Sequence, residues 1–472
     1  MVASAMVRGK SLPYGARLPF QPDCLPLSPD ARLQAILELT REIDLIARPA
    51  DAVISAWVRS RRDIGDKDRG AILDLTQKLM RHRARLGWWL ARAGAEDNVR
   101  NRLLAWLRLD GYAPDRISGL FNGGDDAPLR LDDSERVLLG KLDGTGVDHA
   151  DMPEEIRVEC PDWAVDALRR RFGDQFVVEM TAMLSEPPLD LRANTLKSDR
   201  DTMLRAVHDL GFKAKAAPLS ALGIRVDERL SLDRLPMLKA GEVEIQDEGS
   251  QLVAMLVDAG PGDRVVDFCA GAGGKTLALA AQMKNRGHIV ACDINEGRLK
   301  RAVERFRKAG AHNIETRLLS SESDKWVKRH KLGFNRVLVD APCSGTGTWR
   351  RNPDARWRPE EEQGLEALIA LQGKILTSAA RLVKPGGRLV YATCSLLPEE
   401  NEEQVERFLA AQPDYSVVPL AEVAPDIADS AHPEYLSLTP ARHGTDGFFA
   451  AVLKRKDAPQ LPPPPAGEGD RP

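Results

Sequence analysis

The chain has 472 residues, 43% of them hydrophobic, more than one ordinary core accommodates, which predicts two to four domains. Its 67 Lys and Arg nearly balance 70 Asp and Glu, for a formal charge of -3, so any attraction to nucleic acid must come from a local basic surface. Six scattered cysteines without C-x-x-C spacing argue against a disulfide framework or a metal site, and no run approaches the ~20 apolar residues of a membrane span, so a cytoplasmic chain is expected.

Residues 1–28 are rich in proline and small residues, and 457–472 include Pro462-Pro463-Pro464-Pro465, so both ends read as disordered tails. Between them, residues 29–145 read as an all-α domain. Ser28 is a candidate N-cap with Pro29 at the first helical position, and further helices are expected over Ala52–Arg61, Asp68–Arg83, Leu86–Ala93 and Val99–Leu109. From Trp57 to Arg85 there are nine Lys or Arg against four Asp. That surplus suits phosphate contacts, although from charge alone a solvated helix face is the better reading.

Residues 155–240 read as a small α+β module, with helices over Val165–Phe172, Phe176–Leu184 and Asp201–Leu210 and a strand at Leu189–Ala193. From 241 to 456 strands alternate with helices, the pattern of a doubly wound, Rossmann-like parallel sheet. Its strands are expected at Arg264–Phe268, His288–Asp293, Ile314–Leu319, Arg336–Asp340, Arg388–Ala392 and Gly447–Leu453. The later helices are expected at Glu362–Val383 and Glu399–Ala410.

Four strand ends carry chemistry. After the first strand, Asp267-Phe268-Cys269-Ala270-Gly271-Ala272-Gly273-Gly274-Lys275-Thr276 brings backbone and a cation close to a ligand, without the spacing of a P-loop or a dinucleotide fingerprint. The second strand ends in Asp293, suited to ribose hydroxyls, so a ribose-bearing cofactor without a pyrophosphate fits best. The fourth and fifth strands each run into a thiol, Cys343 and Cys394, at one sheet edge. Thiolates add to electron-poor double bonds such as C5=C6 of a pyrimidine. Beyond Cys343, Trp349, Arg350, Arg351, Arg356 and Trp357 interleave, as a loop for single-stranded nucleic acid would, or as an interdomain seam would.

The strings from Asp267 and from Asp340 (Asp-Ala-Pro-Cys-Ser-Gly-Thr-Gly), with Tyr391-Ala392-Thr393-Cys394-Ser395 and Pro398-Glu399-Glu400-Asn401-Glu402, resemble the motifs of the RNA cytosine-5 methyltransferases, RsmB (Sun/Fmu) type. Gln246-Asp247-Glu248-Gly249-Ser250-Gln251 and Asp446-Gly447-Phe448-Phe449-Ala450 resemble flanking motifs of that family, and Ile64-Gly65-Asp66-Lys67-Asp68-Arg69 resembles its NusB-like RNA-binding domain. The resemblance implies a class I methyltransferase using S-adenosylmethionine, with Cys394 adding to C6 of cytosine, Cys343 assisting release and Asp340 bonding the base near N3. Ala270, Gly271, Ala272, Gly273, Gly274, Lys275 and Thr276 would wrap the cofactor's amino acid part, Asp293 its ribose, and Asp340 would border both ligands. Ser320 stands where the family has an acid towards the adenine, with Glu322 or Asp324 as substitutes, and Ala272 stands where proline is usual. The implied substrate is 16S ribosomal RNA, free or in a partly assembled small subunit, and the implied state a monomer without metal. The alternatives are transfer RNA as substrate, or a non-catalytic RNA-binding assembly factor.

Overall fold

The computed structural model describes residues 26–46, 48–142, 146–228, 230, 232–358, 364–428 and 433–457. Apart from 26–28 and Asp457, the expected tails lie outside these residues. Two compact units, Met1–Val147 and Asp148–Pro472, make up the chain.

The first unit is helical: Pro29–Leu45, Ala50–Ser60, Asp66–Arg81, Arg83–Ala93, Val99–Leu109, Pro114–Leu120 and Asp133–Lys141. Ser28 caps its helix through Ala31 N, and Asp132 with Glu135 forms a capping box. Leu39, Ile72, Leu86, Leu90, Leu103 and Leu104 fill the core at 0% exposure. Within the basic run, Arg59, Arg62, Lys67 and Lys78 are exposed, whereas Arg81 and Arg85 are buried. Asp68 accepts from Leu27 N and pairs with Arg32, and Arg69 donates to Ile64 O, so much of the Ile64–Arg69 string organises the local chain.

The second unit holds two sheets. Strands β1 (Leu189–Ala193), β2 (Ala214–Ala216), β3 (Gly223–Val226) and β4 (Val243–Ile245) form an antiparallel sheet of order β2-β3-β1-β4. Because β4 pairs with β1, this sheet extends past the boundary expected at 240. Next come β5 (Arg264–Asp267), β6 (His288–Asp293), β7 (Ile314–Leu318), β8 (Phe334–Asp340), β9 (Val383–Thr393), β10 (Tyr415–Val417), β11 (Leu436–Leu438) and β12 (Phe448–Arg455). Their order is β10-β12-β9-β8-β5-β6-β7, with β11 on β12; β5 to β9 are parallel and β12 is antiparallel to β9.

Helices cover both faces, so the central strands read as continuous apolar runs rather than as alternations. Val265, Leu338, Val390 and Ala450 enter one buried cluster, and their neighbours Val266, Val337, Val339, Leu389, Tyr391 and Phe449 enter the other. Strand β9 begins at Val383, where helix was expected, and reaches β8 through an irregular Lys384–Gly387 stretch; the preceding helix is Leu365–Ala380. The helix expected from Glu399 begins at Glu402, after a 3-10 turn at Pro398–Glu400. The chain runs outward from β5 through β6 to β7 and returns to the other side at β8. The carboxyl ends of β5 and β8 therefore flank the crevice at the point where strand order reverses.

Candidate active site

Five strand ends, those of β5 to β9, line one cavity of about 770 Å³, with residues of the Ile245–Asp247 segment on its rim. Ala270 N donates to Cys292 O (2.8 Å) and Gly271 N to Asp293 Oδ2 (2.8 Å), so the Gly-rich turn after β5 is bound to the end of β6. Gly273 sits at φ +81°, and a Cβ there would lie 2.4 Å from the Phe306 ring, so only glycine permits this helix to approach so closely. Arg305 holds the turn from below, donating to Ala272 O (2.7 Å) and pairing with Glu244 (2.6 Å).

Ala270, Gly271, Ala272, Gly274, Lys275, Asp293, Ser320 and Asp340 all line the cavity. Gly273 and Thr276 do not. Gly273 faces Phe306, and Thr276 is buried and donates to Asp267 Oδ2 (2.7 Å). Lys275 reaches across to Asp340 Oδ2 (2.7 Å), at the end of the strand that leads into Cys343. Burial alone would pull that ammonium's pKa down; its ion pair and hydrogen bond with Asp340 lead the influences that outweigh burial, and the net shift is upward.

Asp267, the acid that ends β5, was given no role by the sequence. It lines the cavity, its Oδ1 is buried without a partner, and burial pushes its carboxyl up to about 7. A buried acceptor left unsatisfied in a cavity calls for a donor from a ligand. With the Asp293 carboxylate on the same cavity, the site suits a group bearing both an ammonium and a ribose. Its signal in sequence was an acid directly before a Gly-rich turn. Of the two acids near Ser320, Asp324 accepts from Ser320 N, Trp326 N and Ser320 Oγ, which hold it down to about 2, while Glu322 lines the cavity.

Cys343 Sγ and Cys394 Sγ stand 3.4 Å apart, both partly exposed. Ser344 Oγ meets Ser395 Oγ at 3.2 Å, Thr346 Oγ1 accepts from Leu396 N (2.7 Å), and Gly347 N donates to Cys394 O (2.9 Å). The thiols are thus held as a pair by their loops. The pKa of Cys343 is raised well above its usual value, first by its hydrogen bond with Cys394 and then by burial.

The Trp and Arg loop departs from the expectation of a nucleic-acid surface. Trp349, Arg350 and Arg356 are 0%, 3% and 1% exposed, so none offers a face to a base. Arg350 and Arg351 clasp Asp446 (2.6 and 2.5 Å), and Arg351 also bonds Asp247 (2.9 Å). Arg356 donates to Glu159 O and Met183 O, and Trp349 meets Trp163 edge-on at 5.8 Å. Gly347 lies against Gly447 so closely that a Cβ would come 2.2 Å from its carbonyl oxygen. This loop is a seam joining the catalytic sheet to the segments around it; only Arg351 reaches the cavity rim.

Residues 160–233 match the ferredoxin-like domain of the RsmF/B methyltransferases, and 254–454 match the 16S rRNA methyltransferase RsmB/F model. Ribosomal RNA small subunit methyltransferase B of Salmonella enteritidis is 33% identical over 440 residues, which is 88% of this chain and 97% of that protein. The chain belongs to the RsmB/F methyltransferase family. The same-named Pasteurella multocida protein is 34% identical over 299 residues, 62% of this chain, and that match spans only 65% of its length. In fold, the solved structure of PH0851 superposes with a TM-score of 0.74 at 24% identity, covering 91% of this chain and all of that one. Membership agrees with the cofactor chemistry of the cavity, since methyltransferases of this family use S-adenosylmethionine.

Proposed function

We propose that the protein transfers a methyl group from S-adenosylmethionine to C5 of a cytosine in RNA, 16S ribosomal RNA being the target, through a covalent adduct on Cys394. One observation carries this reading: two thiols 3.4 Å apart open onto a cavity whose acids suit the cofactor. The name shared by relatives spanning nearly all of the chain supports the ribosomal RNA target.

Asp267 and Asp293 would hold the cofactor's ammonium and ribose, with Gly271 and Ala272 beside them and Glu322 towards the adenine. When bound, that cofactor supplies an electrophilic methyl on a sulfonium. Cys394 attacks C6 as a thiolate, the form of a cysteine that acts as nucleophile. Asp340, held by Lys275, bonds the base edge as negative charge develops on the ring. C5 then takes the methyl. The C5 proton departs to solvent, its electron pair re-forms C5=C6, and the C6–S pair returns to Cys394, with Cys343 assisting.

Sequence leaves the two thiols interchangeable apart from the family resemblance. Their neighbours support the assignment, with a cation on the Cys394 side and the Glu400 carboxylate on the Cys343 side. The helical unit, with its exposed Arg59, Arg62, Lys67 and Lys78, serves in this reading as a NusB-like RNA-binding domain, and the protein works as a cytoplasmic monomer. Bisulfite sequencing of ribosomal and transfer RNA from cells with and without the protein tests the proposal. Loss of one 5-methylcytosine from 16S RNA is expected; an unchanged 16S pattern refutes the target.

A further inference from the structure

Behind the two sulfurs lies a carboxylate to which neither cofactor nor base lays claim. Glu400, 0% exposed, occupies the 3-10 turn that follows the Cys394 loop. Its oxygens accept from Ser344 N (2.8 Å) and Ser344 Oγ (2.5 Å). Gln372, also buried, donates to Glu400 Oε1 (2.8 Å) and to Pro342 O (3.0 Å). Both chain neighbours of Cys343 are therefore tied to this carboxylate, one directly and one through Gln372. Tyr391 Oη donates to Glu400 O (2.7 Å), which fixes the turn to β9, the strand leading into Cys394.

Ionised carboxylates are rarely buried unless donors compensate them, and here three donors do so around one cysteine loop. Resting on the adduct reading above, we infer that Glu400 is a positioning residue that holds Cys343 as a thiol aimed at the Cys394 sulfur for the release step. When C6–S breaks, its electron pair stays on Cys394 and the Cys343 S–H donates a hydrogen bond to that sulfur. The C5 proton passes to solvent and the C5–H pair becomes the C5=C6 bond as sulfur leaves C6. A negative charge beside Cys343 opposes a second thiolate there, consistent with the upward push on its pKa from Cys394, burial and Glu400 together. Glu400 touches neither substrate nor cofactor in this scheme; it acts through Cys343.

The test follows single-turnover methylation of 16S RNA by the full chain, scoring denaturant-resistant protein–RNA adduct and released 5-methylcytosine separately. Glu400→Gln, Ser344→Ala and Cys343→Ala are compared, with cofactor titration and thermal melting to establish folding. Glu400→Gln is expected to form adduct within about threefold of the parent rate yet release product roughly tenfold or more slowly. Ser344→Ala follows in weaker form, and Cys343→Ala traps most adduct. Parent-like release in Glu400→Gln overturns the inference. So does an equal fall in adduct formation and release, the mark of a merely structural residue. If Glu400→Gln does not fold, Ser344→Ala decides, and parent-like release there overturns the inference as well. Adduct trapped by Cys343→Ala but by neither other variant removes Glu400 and leaves the adduct reading standing. No adduct in any of the three removes that reading and the inference with it.

Discussion

At the end of β8, Cys343 is followed by a serine whose amide and hydroxyl are both bound by Glu400; at the end of β9, Cys394 shares the field of the Lys275 ammonium. The two loops have the same outline, an apolar strand running into a thiol and then a serine. The difference lies in what other segments bring to them, a cation on one side and a carboxylate on the other. A thiolate is disfavoured beside a carboxylate, and in the proposed reading this difference in surroundings is what gives two like residues unlike work.

That contrast can be broken at four points. Cys394→Ala should abolish transfer, by on the order of 10³-fold or more, while cofactor titration stays near the parent value. Transfer that survives this change would overturn the pairing of cation and nucleophile. Lys275→Met, which removes the cation and leaves Asp340 without its partner, should slow adduct formation by roughly 10²-fold in single-turnover assays. Cys343→Ala should leave adduct formation nearly intact and cut multiple turnover by roughly 10²-fold, with adduct visible on a denaturing gel.

The smallest effect concerns Asp267. Burial raises its carboxyl from 3.8 to about 7. The fold thus prefers the neutral acid; that stabilisation is complete below the unfolded value and is lost as pH rises through about 7. A bound ammonium prefers the carboxylate. Cofactor affinity should therefore rise as pH climbs to about 7, by up to about tenfold per unit, and Asp267→Asn should flatten that rise. Asp340, Lys275 and Asp293 share this environment, so the variant rather than the profile alone assigns the step.

Much of this site was legible in the chain. The β5 turn, Asp293 and both thiols stand at strand ends because parallel sheets put their chemistry there, and a strand end is visible as an apolar run meeting a polar one. The Trp349 to Trp357 loop was misleading because arginine and tryptophan look alike in sequence whether they meet phosphates and bases or distant carboxylates and carbonyls. Asp446 and Asp247, which clasp Arg350 and Arg351, lie about a hundred residues away on either side. Glu400 stood without a role in the Pro398–Glu402 string for a similar reason. A helix was expected from Glu399, whereas the 3-10 turn at Pro398–Glu400 points its carboxylate back at a loop 56 residues earlier. Strand β4 was cut from its sheet because three residues give too short a pattern to reveal a partner in β1.

The most direct measurement of the central claim uses 16S RNA carrying 5-fluorocytosine and the unaltered protein with S-adenosylmethionine. Fluorine at C5 leaves no proton to lose, so the methylated adduct persists and its peptide can be mapped by mass spectrometry. RNA attached at Cys394, with Cys343 free, is the predicted result; attachment at Cys343 would contradict the account.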